Sequence, residues 1–182
     1  MRFIFSMKGE NGQGMVEFAL VFPVFFTILL LIIEAGWLTY QQTMFDQSYQ
    51  YSSWTLQASD LGDVDTLEAC PAKASYSGST VSDPLLARIE EASLWGLMLK
   101  NITISNAQAE LYNEEETFSV PGRKPSDAVL ATSRTRYMKI NADVSYDIYP
   151  LTYLGKSIFG TRITKEKKIN CLRIVATQHR SG

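Results

Sequence analysis

Apolar residues follow three different rhythms along this chain, and each rhythm predicts a different element. From Phe18 to Ile33 the sequence reads FALVFPVFFTILLLII, sixteen residues without a charge, interrupted only by Pro23 and Thr27. Met15 and Val16 before the run, with Ala35, Gly36, Trp37 and Leu38 after it, extend it to the ~20 residues that cross a bilayer core. Beyond it the spacing becomes one-sided. Trp37, Tyr40, Met44, Gln47, Tyr51, Trp54, Ala58 and Leu61 recur at steps of three and four, with Gln41, Gln42, Asp46, Ser48, Gln50 and Ser52 between them. One continuous helix is predicted from about Gly14 to Ser59, on the order of 70 Å long, with that stripe as its packing face and Gly62 ending it.

The third rhythm is strict alternation. Met138, Ile140, Ala142, Val144, Tyr146 and Ile148 alternate with Lys139, Asn141, Asp143, Ser145 and Asp147, which predicts an antiparallel strand with one dry and one wet face. A second strand is predicted at Ile102 to Tyr112, where the alternation changes phase near Asn106 and implies a bulge. Between spine and strands, Gly62 to Ser82 reads as a polar loop. Ser82 or Asp83 with Pro84 announces a helix that buries Leu85, Leu86, Ile89, Ala92, Gly96 and Leu97, turns Arg88 and Glu91 away, and ends near Lys100 and Asn101. Asn113 to Thr132, with its Glu114 to Glu116 triplet and PGRKP at Pro121 to Pro125, reads as an exposed loop. Leu151 to Gly160 reads as an apolar connector and Thr161 to Thr177 as a last strand or hairpin. The predicted fold class is α+β: a long N-terminal helix packed on a small antiparallel-sheet head.

Charge orients the apolar run. Arg2 and Lys8 precede it, and no Lys or Arg follows until Lys73. Cationic flanks stay in the cytoplasm, so a cytoplasmic N-terminus and an exported C-terminal part are expected. A cleavable secretory signal would be shorter and end in a small-x-small site, whereas Ile33-Glu34-Ala35 follows here. A buried helix of a soluble domain would need more protein to cover it. An ordinary signal anchor accounts for the run but not for Glu17 at its mouth, since acids in or beside a membrane helix cost about 2–3 kcal/mol at its centre and usually mark a partner or function. Snorkelling at the interface is the plainer reading of Glu17.

The string Gly12-Gln13-Gly14-Met15-Val16-Glu17-Phe18 and the apolar run to Glu34-Ala35-Gly36 resemble the class III signal of type IV pilins. They are most similar to TadE-like pseudopilins of the tight adherence (Tad, type IVc) pilus system. The close likeness covers about residues 9–40, with a looser one in the strand, Tyr-Pro-Leu and connector order near the C-terminus. The resemblance implies a leader at 1–12 cut between Gly12 and Gln13 by a prepilin peptidase, a transmembrane and assembly helix at 13–40, an amphipathic extension at 41–61 and an exported head at 62–182. It implies assembly roles for Glu17, Phe18 and Glu34. It further implies partnership with a major pilin, other minor pseudopilins, inner-membrane assembly platform proteins and membrane lipid, and incorporation into an extracellular pilus. The length, greater than that of short major pilins, favours a minor subunit. Removing residues 1–12 takes away Arg2, Lys8 and Glu10, changing the net charge from −2 to −3 and creating an α-amino group at Gln13 that could meet a Glu17 carboxylate on a neighbouring copy. The alternative is a single-pass anchored protein whose exported domain binds a ligand or partner without polymerising.

The remaining chemistry is sparse. An exported segment with two cysteines invites a Cys70–Cys171 disulfide, which would close a loop of about 100 residues and add up to ~4–5 kcal/mol, two buried thiols being the alternative. Asp60, Asp63, Asp65 and Glu68 lack the EF-hand pattern and read as a solvated turn, so no metal is expected. His179 is the single histidine and reads as a surface residue. No phosphate-binding, nucleophile-elbow or zinc-protease motif is present, so neither catalysis nor a cofactor is expected. The balance of 17 Lys+Arg against 19 Asp+Glu, with no basic run, argues against nucleic acid as a partner.

Overall fold

The computed structural model describes residues 10–64, 66, 67, 70–94, 96–121 and 129–181. Residues 1–9 of the expected leader, Asp65, Glu68 and Gly122 to Pro125 lie outside the described residues, as does the side chain of His179. The architecture is α+β, a long N-terminal helix and a four-stranded antiparallel sheet. The chain forms two units. One gathers the helix through Tyr40 with Tyr149–Ile163, and the other contains Gln41–Ile148 and Thr164–Gly182.

In the first unit, helix α1 (Glu10–Thr55) supplies its residues up to Tyr40. Pro23 sits inside it, and because proline carries no N–H, the carbonyl four residues before it loses its donor. Thr27 Oγ1 donates to the Pro23 carbonyl at 2.7 Å, so the next polar group along is satisfied within the helix. Residues Tyr149–Ile163 contain the short helix α3 (Tyr153–Phe159), capped by Thr152, whose hydroxyl accepts from the Gly155 amide. The connector expected as part of the head thus groups with the apolar helix.

In the second unit the sheet order is β1 (Lys73–Ser77), β2 (Ile102–Val120), β3 (Val129–Ile148) and β4 (Ile163–Ser181). The alternation of β3 is realised residue by residue: Met138, Ile140, Ala142, Val144, Tyr146 and Ile148 are buried. The predicted bulge is present. The β2–β3 register shifts between Ser105 and Gln108, and Asn106 adopts φ +52°, its side chain donating to Asp143 at 2.7 Å.

Several expectations are corrected. The loop after the spine contains β1, an edge strand paired from Lys73 to Ser77 with Tyr112 to Gln108, whose short mixed sequence KASYS carries no clear alternation. Helix α2 runs Ser79–Ser93, starting earlier than Ser82 and stopping before Lys100, because Gly78 at φ +67° turns the chain out of β1 directly into the helix. Its buried side is Val81, Leu85, Ile89 and Ser93. The stretch expected as a loop after Asn113 is strand to Val120 and again from Val129, the two paired from Asn113↔Arg136 to Val120↔Val129 in one long hairpin.

Ala58 and Leu61 of the expected stripe are buried beyond the helix end at Thr55, but within α1 the inner face is rotated by one residue from that stripe. Tyr40, Tyr51 and Trp54 are exposed, at 47%, 47% and 66%, while Gln41, Phe45, Ser48, Ser52, Ser53 and Leu56 are buried. The serines are self-satisfied, donating to the carbonyls of Met44, Tyr49 and Gln50 within their own helix. Gln41 donates to Gly96 and accepts from the Tyr146 hydroxyl, and Phe45 stacks on Tyr146 with ring centroids 5.4 Å apart. A buried face can therefore be polar where each polar group brings or finds a partner.

Cys70 and Cys171 are free thiols, so the expected disulfide is not formed. Cys70 sits beside Asn113 of β2, whose Nδ2 reaches its sulfur at 3.4 Å, whereas Cys171 is on β4. The sheet order leaves β3 between those strands. Two strand spacings are about 9.5 Å, beyond the reach of a disulfide's Cα atoms.

Candidate functional site

The ordered string from Gly12 to Phe18 lies on α1. The Gly12–Gln13 bond lies within α1. Glu17 and Phe18 are both exposed on the following turn. Phe18, Phe22 and Phe26 form a ladder on one face, with successive ring centroids 5.3 and 5.9 Å apart. The apolar window of this helix is bare: none of it is buried inside the structure.

Glu34 differs from Glu17 and Phe18. It is fully buried, and its carboxylate is taken up inside its own unit rather than presented outward. The Leu151 amide donates to Oε1 at 2.7 Å, while the Thr152 amide and hydroxyl donate to Oε2 at 3.0 and 2.7 Å. The space is made by Gly155, where a Cβ would fall within 2.6 Å of Glu34 Cγ and Oε2. One helical turn on, the Trp37 indole donates to the Tyr149 carbonyl at 3.2 Å. Glu34 and Trp37 together latch the Tyr149–Gly155 backbone to α1. Nothing in the local pattern around Leu151 to Gly155 announced this latch; the one signal was an acid closing an apolar run.

Of the acid cluster after the spine, Asp60 and Asp63 are held in ion pairs rather than simply solvated. Asp60 accepts a bidentate pair from Arg88, which also reaches Glu91 at 2.9 Å. These two carboxylates push the Arg88 guanidinium above its ordinary value. Asp63 is bound at 2.6 Å by Arg136, a fully buried guanidinium that also donates to the Pro71 carbonyl and to Asn113 Oδ1, both at 2.9 Å. Among the described residues no group of three or more His, Cys, Asp or Glu could hold a metal ion.

The site so defined is a bare apolar helix carrying an acid at its mouth and latched to a short interstrand helix, in a chain with a four-stranded sheet. That is the class of a membrane-anchored α+β protein with a helical spine. Residues 12–48 match the family model described as TadE-like protein, so the apolar helix and its first extension are similar to that family. No protein of curated function and no solved structure matches the chain. The family match over these residues and the bare helix together support membrane anchoring.

Proposed function

We propose that this chain is a minor pseudopilin, cut between Gly12 and Gln13 by a prepilin peptidase and taken into a Tad-type adhesion pilus or its priming complex. The observation that carries the reading is the juxtaposition on one helix of the Gly12–Gln13 bond, the exposed Glu17 and an uncovered apolar surface, within the TadE-like match. Cleavage on the cytoplasmic side frees the helix from its cationic leader. A bare helix leaving lipid must be covered by like helices, because its apolar surface is otherwise returned to water. The new amine at Gln13 gives a neighbouring Glu17 a charge-assisted partner. The head of residues 62–182 is then extracytoplasmic, and the partners are the peptidase, the major pilin, other minor pseudopilins and the inner-membrane assembly platform.

Mass spectrometry of the membrane-extracted protein tests the first step. A mature chain beginning at Gln13 is expected, and a chain retaining residues 1–12 in assembled fibres overturns the proposal.

A further inference from the structure

The segment between β3 and β4 is held at one particular level of the membrane helix. Both of its attachments, Glu34 and Trp37, lie on the turn that follows Ile33, the last residue of the uncharged run. At 1.5 Å per residue, both are within about 6 Å of the end of that run along the helix axis. A bilayer that receives the run therefore meets its headgroup layer where Leu151 and Thr152 are fastened.

What the fastened segment displays suits that layer. Tyr149, Leu151, Tyr153, Ile158 and Phe159 are exposed at 47%, 54%, 89%, 54% and 40%, and Lys156 and Arg162 beside them are exposed as well. Large apolar side chains so close together are costly in water, at roughly 25 cal/mol per Å². Tyrosines and other apolar residues mixed with Lys and Arg form the composition that settles at a membrane–water interface. The latch suits the same place, since every oxygen of Glu34 is satisfied from within the chain where water is scarce.

We propose that the segment 149–162 is a second membrane contact, in which Tyr153, Ile158 and Phe159 enter the headgroup–acyl boundary of the leaflet where α1 emerges, with Lys156 and Arg162 set toward lipid phosphates. The occupant is lipid: the segment is hydrogen-bonded to α1 at the end of its bare apolar run, within the same unit, and its cations complement anionic headgroups. The proposal rests on α1 crossing the bilayer, and it adds a collar that fixes the depth of the helix and resists its withdrawal.

The test uses the full chain in phosphatidylcholine–phosphatidylglycerol vesicles. Cys70 and Cys171 are replaced by Ser, which breaks no bond because both are free thiols. Single reporters Ile28→Cys, Tyr153→Cys and Ile158→Cys carry an environment-sensitive dye, read by quenchers placed at known depths in the lipid and by aqueous iodide. The expected result is a deep label at 28 and labels at 153 and 158 about 5–10 Å below the headgroup surface. A deep label at 28 with 153 and 158 as open to iodide as the free dye overturns the collar, leaves the anchor standing, and hands the exposed cluster to a protein partner. A label at 28 open to iodide overturns the anchor and the collar together. Pure phosphatidylcholine vesicles should bring 153 and 158 nearer the surface; unchanged depth removes the role given to Lys156 and Arg162.

Discussion

A carboxylate leaving water needs donors, and Glu34 takes all of its own from one short stretch of chain. Thr152 is the economical part of the arrangement: its amide and hydroxyl both donate to Oε2, while the same hydroxyl oxygen accepts from Gly155 and caps α3. Replacing the acid with its amide keeps the volume but turns two acceptor oxygens into one, so a donor on Leu151 or Thr152 faces an NH₂ group. Glu34→Gln is expected to weaken the latch by about 1.5–3 kcal/mol. Hydrogen exchange at the Leu151, Thr152 and Gly155 amides should then quicken by about 10- to 100-fold, and unchanged protection would show that the latch contributes nothing. Gly155→Ala reaches the same outcome from the other side, because its Cβ collides with the Glu34 side chain, which must leave its donors to make room.

The elements of the second unit are pinned by arginines rather than by a disulfide. Arg136 reaches from β3 to Asp63, to the Pro71 carbonyl and to Asn113, tying the segment after the spine to the sheet. Asp63→Ala leaves a buried guanidinium without its counter-charge and should cost about 3–5 kcal/mol, read from the midpoint of urea unfolding. Adding Arg136→Met should recover much of that loss, since the stranded charge goes with it. Tyr76 reports on the same cluster. Burial first, and then the Asp63 carboxylate, push its hydroxyl above the ordinary tyrosine value. The folded chain thus holds that proton more tightly than the unfolded one, so stability is intact below about pH 10 and falls as pH rises beyond it. In Tyr76→Phe the alkaline fall should be shallower. The alternation of β3 and the bulge at Asn106 were legible because backbone period and burial coincide there. The inner face of the spine was not, because Ser48, Ser52 and Ser53 satisfy their hydroxyls within the helix and so can be buried, while Tyr51 and Trp54 stay outside. Strand β1 was hidden by its short, polar sequence, and the Arg136 cluster by its assembly from residues far apart in the chain. At the candidate site the ordered string from Gly12 to Gly36 was readable because it is local; the partners of Glu34 were not, since they lie more than a hundred residues away.

At the scale of the whole molecule, insertion and assembly ask different things of one helix. Insertion depends on the summed apolar character of residues 18–33, to which one acid at the rim makes little difference. Assembly, in the function proposed here, depends on a carboxylate that becomes more valuable once the helix leaves lipid and meets a neighbour's amine. Glu17→Ala should therefore leave membrane fractionation and the Gln13 start unchanged while removing the protein from sheared pili. Glu34→Gln disturbs only the latch within its own chain, so it should reduce incorporation less than Glu17→Ala does. Immunoblots of the membrane and pilus fractions compare the two variants directly. Equal incorporation of Glu17→Ala and the unaltered protein would strip Glu17 of its assembly role, leaving an acid that merely marks where the helix meets the water.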